Sequence, residues 1–228
     1  MERAPIHRIP EPTLRRLPGY YRYFLGLQHA GANLVSCALV GRDLALDPTL
    51  VRKDLEAIEA VGRRRVGFVL TDVIHAIQAH LGYNGINSAF LIGAGNLGAA
   101  LLGYKKFRDF GLEIIAAFDA SPSRVGERIH GLEILPAERL PELAREFHPR
   151  IGIVTVPAEH AQAAVDLLVS NGMDAIWNFA PVRVQVPPHV IVQSEDLYRS
   201  LATLSYKLVV KQQDDALTSS EALSGCSV

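Results

Sequence analysis

The chain has 228 residues, 49% hydrophobic and 21% charged, a length for one large domain or two modest ones, with two the expectation. No run approaches the ~18 apolar residues that span a bilayer, the start has no apolar signal core, and Cys37 and Cys226 are too few for a disulfide framework or a zinc site, so a reducing cytoplasm is expected. The net charge of −1 hides a split: residues 1–84 hold 11 Lys and Arg against 8 Asp and Glu, and the remainder 12 against 16.

The first part reads as helices. One is predicted over residues 13–30, broken or started at Pro18 and Gly19. Ser36 is the expected N-cap of a helix over 37–44, and Asp47 with Pro48 opens the next as N-cap and N1. In that third helix Val51, Leu55 and Ile58 recur at helical spacing and face inward, which leaves Thr49, Arg52, Lys53, Glu56 and Glu59 outside. Gly62, Arg63, Arg64, Arg65, Val66 and Gly67 then form a basic turn that opens into a strand over 66–70. Three helices, a basic hairpin and a linker helix make a winged helix-turn-helix, which lays its third helix in the major groove. The arginines at the hairpin tip suit phosphate neutralisation and insertion into the minor groove.

Turn formers over 81–87 separate this part from a second one. A strand over 88–92, a glycine turn, a helix over 97–105 and a strand over 112–118 form a βαβ unit. Further strands over 151–156, 175–177 and 190–192 alternate with helices over 141–147 and 161–170, which implies a doubly wound parallel sheet of the Rossmann type. A last helix is expected from 194 or 195 to near 210, with Leu197, Leu201, Leu204 and Leu208 on one stripe and Tyr206 nearby. The expected domains are 1–84, 85–193, a helix over 194–211, and a disordered tail over 212–228.

In the glycine turn, Gly93 permits a tight bend, Gly95 lets the backbone approach a pyrophosphate, and Gly98 brings helix and strand close. Asp119 follows at the end of the next strand, where an acid would bind the adenosine ribose and favour NAD over NADP. No histidine groups with a lysine or carboxylate in a catalytic arrangement; His148, His160 and His189 read as surface or loop residues. Neither a nucleophile triad nor metal-ligand spacing is present, so no catalytic or metal site is expected.

In chain order the sequence contains VRKDL at 51–55, GRRRVGF at 62–68, IGAGNLG at 92–98, FD at 118–119, LEIL at 132–135, TVP at 155–157 and NFAP at 178–181. Together these motifs resemble the Rex family of redox-sensing repressors over almost the whole chain. The resemblance implies a cytoplasmic homodimer, not an enzyme, that senses the NADH/NAD ratio, sits on palindromic operator DNA at low NADH and leaves when NADH binds. It further implies that Gly93, Ala94, Gly95, Asn96, Leu97, Gly98 and Asp119 hold the adenosine pyrophosphate half of NAD(H), with Thr155, Val156, Pro157, Asn178 and Phe179 around the nicotinamide. Ser36, Thr49, Arg52, Lys53, Arg63, Arg64 and Arg65 would meet DNA. Arg22, Tyr104 and Asp196 match the family's switch, and the last helix would be exchanged across the dimer.

The chain departs from the family's usual pattern at Glu56 to Glu59, where S-Y-F-G is common, and at Arg63, Arg65 and Phe68 of the wing. A small NAD-dependent dehydrogenase and a CoA-binding domain of the ligase type, which shares a similar βαβ start, are the rival readings.

Overall fold

The computed structural model describes residues 8–63 and 66–224, without the side chains of Leu197 and 214–224. They fall into two compact units, the first running to Ile86 and including Asp109–Gly111, the second made of the rest.

In the first unit, helix α1 is Glu11–His29 and runs unbroken through Pro18, against the expectation of a break there. An interior proline costs about 3 kcal/mol. Leu17, Tyr20, Tyr21 and Phe24, which lie on both sides of it or beside it on one stripe, are all buried, each contributing about 1.5–3 kcal/mol. Continuity of that stripe outweighs one lost hydrogen bond. Strand β1 (Leu34–Val35) leads to α2 (Cys37–Leu44), where the Ser36 hydroxyl accepts from the Leu39 N–H at 3.1 Å. Helix α3 (Pro48–Ala57) is capped by Asp47, which accepts from the N–H groups of Thr49 and Leu50 at 2.6 and 3.3 Å.

Val51, Leu55 and Ile58 are buried as expected. Strands β2 (Gly62–Arg63) and β3 (Gly67–Val69) make the wing, β3 pairs with β1 as well, and α4 (Leu70–Leu81) closes the unit. The inclusion of Asp109–Gly111 has an aromatic cause: the Phe110 ring packs edge-on to Tyr21 and Tyr83 at 5.8 and 5.4 Å, and the Tyr21 hydroxyl donates to the Asp109 carbonyl.

The second unit is a seven-stranded sheet: β4 (Asn87–Ile92), β5 (Leu112–Asp119), β6 (Arg128–Ile129), β7 (Leu132–Pro136), β8 (Ile151–Val154), β9 (Ala175–Asn178) and β10 (Ile191–Ser194). Their order is β10-β9-β8-β4-β5-β7-β6, parallel except for the β6–β7 hairpin. This is the doubly wound Rossmann order, with its switch point where β4 lies between β5 and β8. The sequence reading contained neither β6 nor β7. Their turn, His130 and Gly131, has both φ angles positive, the geometry of a two-residue hairpin whose usual signature is Asn-Gly or Asp-Gly.

Helices α6 (Leu140–Phe147) and α7 (Ala158–Ser170) cover one face of the sheet, with Leu140 and Ala144 of α6 and Val165 and Leu168 of α7 in one core with Phe90, Phe118 and Val154 of the strands. On the other face lie α5 (Asn96–Leu102) and residues 105–108 of the 3-10 turn that follows it, with the Phe107 ring centre 5.7 Å from that of Trp177, while β9 and β10 are joined without a helix among the described residues. Trp177 and Ile191 on that side are therefore incompletely covered, Ile191 being 70% exposed. Helix α8 runs Leu197–Ser224, well past the expected end near 210 and through most of the tail expected to be disordered. No glycine or proline interrupts the sequence before Gly225, so nothing in the chain stops the helix. Tyr198, Leu201, Leu204, Tyr206, Leu208 and Val209 are more than half exposed on it.

Candidate nucleotide and nucleic-acid sites

A cavity of about 370 Å³ opens at the sheet's switch point, beyond the ends of β4, β5 and β8. Gly93, immediately after β4, has φ +101, and a Cβ there would come 2.8 Å from the Thr155 carbonyl carbon. The Thr155 hydroxyl donates back to the Gly93 carbonyl at 2.6 Å, with the Ile92 carbonyl 3.1 Å away. Gly98 is needed for the same close approach, since its Cβ would strike the Gly93 carbonyl. Gly95 differs: a Cβ there meets nothing within 4 Å. The protein's own packing does not require glycine at 95, whereas a group lying against that backbone would.

The Asp119 carboxylate ends β5 at the cavity wall, where Oδ2 accepts from the Ala94 N–H at 2.7 Å and Oδ1 from the Ser121 N–H at 2.8 Å. A carboxylate offers about four acceptor sites, so capacity for two hydroxyls remains. Those backbone donors also hold the carboxylate in place. A vicinal diol such as an adenosine ribose fits this arrangement, and the glycine turn beside it fits a pyrophosphate.

Of the twelve residues expected around the nucleotide, Gly93, Gly95, Asp119, Thr155, Val156 and Pro157 line this cavity. Ala94 is fully buried behind Asp119, Gly98 packs under the turn, and Asn96 and Leu97 are exposed at the start of α5. Asn178 and Phe179 do not line it. Asn178 is fully buried and spends its amide internally: Nδ2 donates to the carbonyls of Val182 and Ala180 at 2.9 and 3.3 Å, and Oδ1 accepts from the Ala180 N–H. It folds the 178–182 turn. Phe179 packs at a tilt against Trp177, with 4.8 Å between ring centres. Sequence reasoning missed the α7 wall, His160, Ala163, Ala164 and Leu167, although their spacing of three and four residues marks one helical face.

In the first unit α3 presents Thr49, Arg52, Lys53 and Glu56 outward, all exposed. Arg52 Nε donates to Glu56 Oε1 at 3.0 Å. Ser36 is exposed at the cap of α2 and Arg63 is exposed on β2; Arg64 and Arg65 lie outside the described residues.

Beneath α3, on its inner face, sits Asp54, which the sequence reading did not single out. Its carboxylate takes a two-point fork from Arg16 (Nε at 2.6 Å, Nη2 at 2.7 Å) and hydrogen bonds from the Thr13 and Tyr20 hydroxyls, both at 2.8 Å. Burial alone would push the Asp54 carboxyl up, but the bonds from Arg16, Thr13 and Tyr20 outweigh it and hold the group below the usual carboxylate range. Helix α3 is thereby bolted to α1.

The three expected switch residues are all exposed: Arg22 on α1, Tyr104 after α5 with its ring 4.8 Å from Phe107, and Asp196 before α8. Asp196 Oδ1 accepts from the Arg199 N–H at 3.0 Å and so caps α8.

Family models match in two places, a CoA binding domain over residues 84–182 and a putative DNA-binding protein N-terminus over residues 8–56. The chain is similar to the redox-sensing transcriptional repressor Rex of Bacteroides thetaiotaomicron, at 39% identity over 201 residues, 88% of this chain and 91% of that protein. Crystal structures of RSP, a Rex-family repressor, are also similar, two of them complexes. The complex with β-NAD+ and operator DNA superposes with a TM-score of 0.85 at 28% identity, covering 97% of this chain and 99% of that one. The complex with β-NADH gives 0.81 at 29% identity, covering 92% and 98%.

Proposed function

This chain belongs to the Rex family of redox-sensing transcriptional repressors, and from that membership we propose that it occupies operator DNA as a homodimer while NADH is scarce and leaves when NADH fills the cavity at the switch point. It is a DNA-binding repressor and not an enzyme, and NAD(H) is the ligand it senses. The observation that carries the reading is Asp119, held by two backbone donors at the wall of a cavity built on the glycine turn. The adenosine ribose belongs there, with Gly93 and Gly95 against the pyrophosphate and Thr155, Val156 and Pro157 towards the nicotinamide.

Arg52, Lys53 and Thr49 on α3, Ser36 on α2 and Arg63 to Arg65 in the wing are the proposed DNA contacts, on a palindrome that mirrors the dimer. Two apolar surfaces support the dimer: the open sheet face at Trp177 and Ile191, and the exposed stripe of α8. Each matches what the other lacks, as expected if α8 is exchanged between protomers. In the DNA-bound state Asp196 of one protomer would pair with Arg22 of its partner, and NADH would transfer that carboxylate to Tyr104. A coupling of about 1–3 kcal/mol would change operator affinity 5- to 150-fold. No helix among the described residues is long and apolar enough to cross a membrane, and we place the protein in the cytoplasm.

The deciding experiment is a gel shift on the protein's own promoter with NAD+, NADH, NADPH or coenzyme A. Release by NADH alone supports the reading. Release by coenzyme A, the rival raised by the match over residues 84–182, or no binding to the promoter at all, overturns it.

A further inference from the structure

Helix α3 meets solvent along a single stripe, Thr49, Arg52, Lys53 and Glu56, at positions i, i+3, i+4 and i+7, with Val51, Asp54 and Leu55 buried behind it. Three of the four suit a polyanion; Glu56 does not. A carboxylate aimed at a phosphate backbone is repelled by it, so its presence on this stripe calls for a partner that offers donors.

Two observations define what it can do. Arg52 Nε donates to Glu56 Oε1 at 3.0 Å, which fixes the guanidinium plane and leaves both terminal NH₂ groups without a partner among the described residues. Glu56 Oε2 likewise accepts nothing among them. The pair therefore presents a two-pronged donor beside a free acceptor. In the major groove a two-pronged arginine matches the O6 and N7 of guanine, and a carboxylate, which can only accept, matches the N4 amino group of cytosine. Adenine also offers an amino group, but its N7 acceptor lies next to it and opposes a carboxylate. Four residues of helix rise about 6 Å, within two base-pair steps of about 3.4 Å.

Resting on the DNA-binding role proposed above, we infer that Arg52 and Glu56 read as one unit, Arg52 a guanine and Glu56 a cytosine no more than two steps away, and that Glu56 is a specificity-determining residue of this chain. The carboxylate's repulsion from phosphate then works against every site lacking that cytosine, which sharpens selection at a cost in affinity.

The test is selection from a random double-stranded DNA library by the full-length protein and its Glu56→Gln and Glu56→Ala variants, followed by titration of single base-pair changes in the selected site. Glu56 is exposed, and matched thermal melts establish that the variants are folded. The wild type is expected to prefer C at one position per half-site by on the order of 10-fold. Glu56→Gln, whose amide pairs with N6 and N7, should move that preference to A, and Glu56→Ala should abolish it while binding of unrelated DNA strengthens. If Glu56→Ala tightens binding to all sequences alike and the selected site is unchanged, Glu56 is only a repelling charge and the inference is wrong. If the wild type selects no sequence at all, the operator-binding role itself fails, and this inference with it.

Discussion

Removing the Asp54 carboxylate should destabilise the first unit out of proportion to a single side chain. Asp54→Ala takes away four hydrogen bonds at once, leaving the Arg16 guanidinium without its counter-charge and the Tyr20 and Thr13 hydroxyls without their acceptor. Breaking a buried pair by deleting one partner costs about 3–5 kcal/mol. Asp54 is 2% exposed but Arg16 is 26% exposed, so the orphaned guanidinium recovers part of its hydration, and the lower end, about 3 kcal/mol, is expected. Against a total of about 5–15 kcal/mol that is a large share. Urea denaturation followed by circular dichroism, with hydrogen exchange at α1 and α3, is the assay.

Acid gives an independent reading of the same group. A carboxyl held below its unfolded value contributes its stability in full above about pH 4 and loses it as pH falls through the folded-state value. Acid unfolding of α1 and α3 should therefore steepen below about pH 4 in the wild type and less so in Asp54→Asn. A loss under about 1 kcal/mol in Asp54→Ala, the range of an exposed pair, together with an unchanged acid limb, would refute the account of α3 as bolted to α1.

Asp119→Asn should weaken NADH binding in calorimetry by about 1.5–3 kcal/mol for each charge-assisted ribose bond lost, with operator affinity intact; unaltered NADH affinity would remove the ribose assignment. Gly93→Ala places a Cβ against the Thr155 carbonyl at a φ of +101, a strain of about 1–3 kcal/mol, and should cost both melting temperature and NADH affinity. If the partner's α8 covers the sheet face at Trp177 and Ile191, deleting residues 195–228 should leave monomer or aggregate in light scattering, and a soluble dimer would sink the helix exchange. Asp196→Ala and Arg22→Ala should each lower operator affinity without NADH, and the double variant should be no worse than either; additive losses in gel shift would exclude that pair as the switch.

What the sequence determined alone was whatever depends on neighbours a few positions away. Ser36, Asp47 and Pro48 announce helix starts because a cap bonds to amides two or three residues on, and Val51, Leu55 and Ile58 mark the inward face of α3 because helical period is a local property. The glycine turn and Asp119 were legible for a different reason, because a βαβ unit sets its parts in a fixed order and at a known spacing along the chain. Tertiary structure decided the rest. Pro18 sits inside α1 because the stripe around it is buried, and the β6–β7 hairpin forms on a His-Gly turn because β7 has β5 to pair with. Asp54, not singled out in sequence, is the anchor of α3 only because α1 brings Thr13, Arg16 and Tyr20 to it from 34 to 41 residues earlier. Asn178 likewise turns inward because its turn supplies partners for every polar atom of its amide. A charge or an amide carries no mark of which way it faces; burial and the partners that compensate it are set by chain segments far apart, and those meet only in the folded protein.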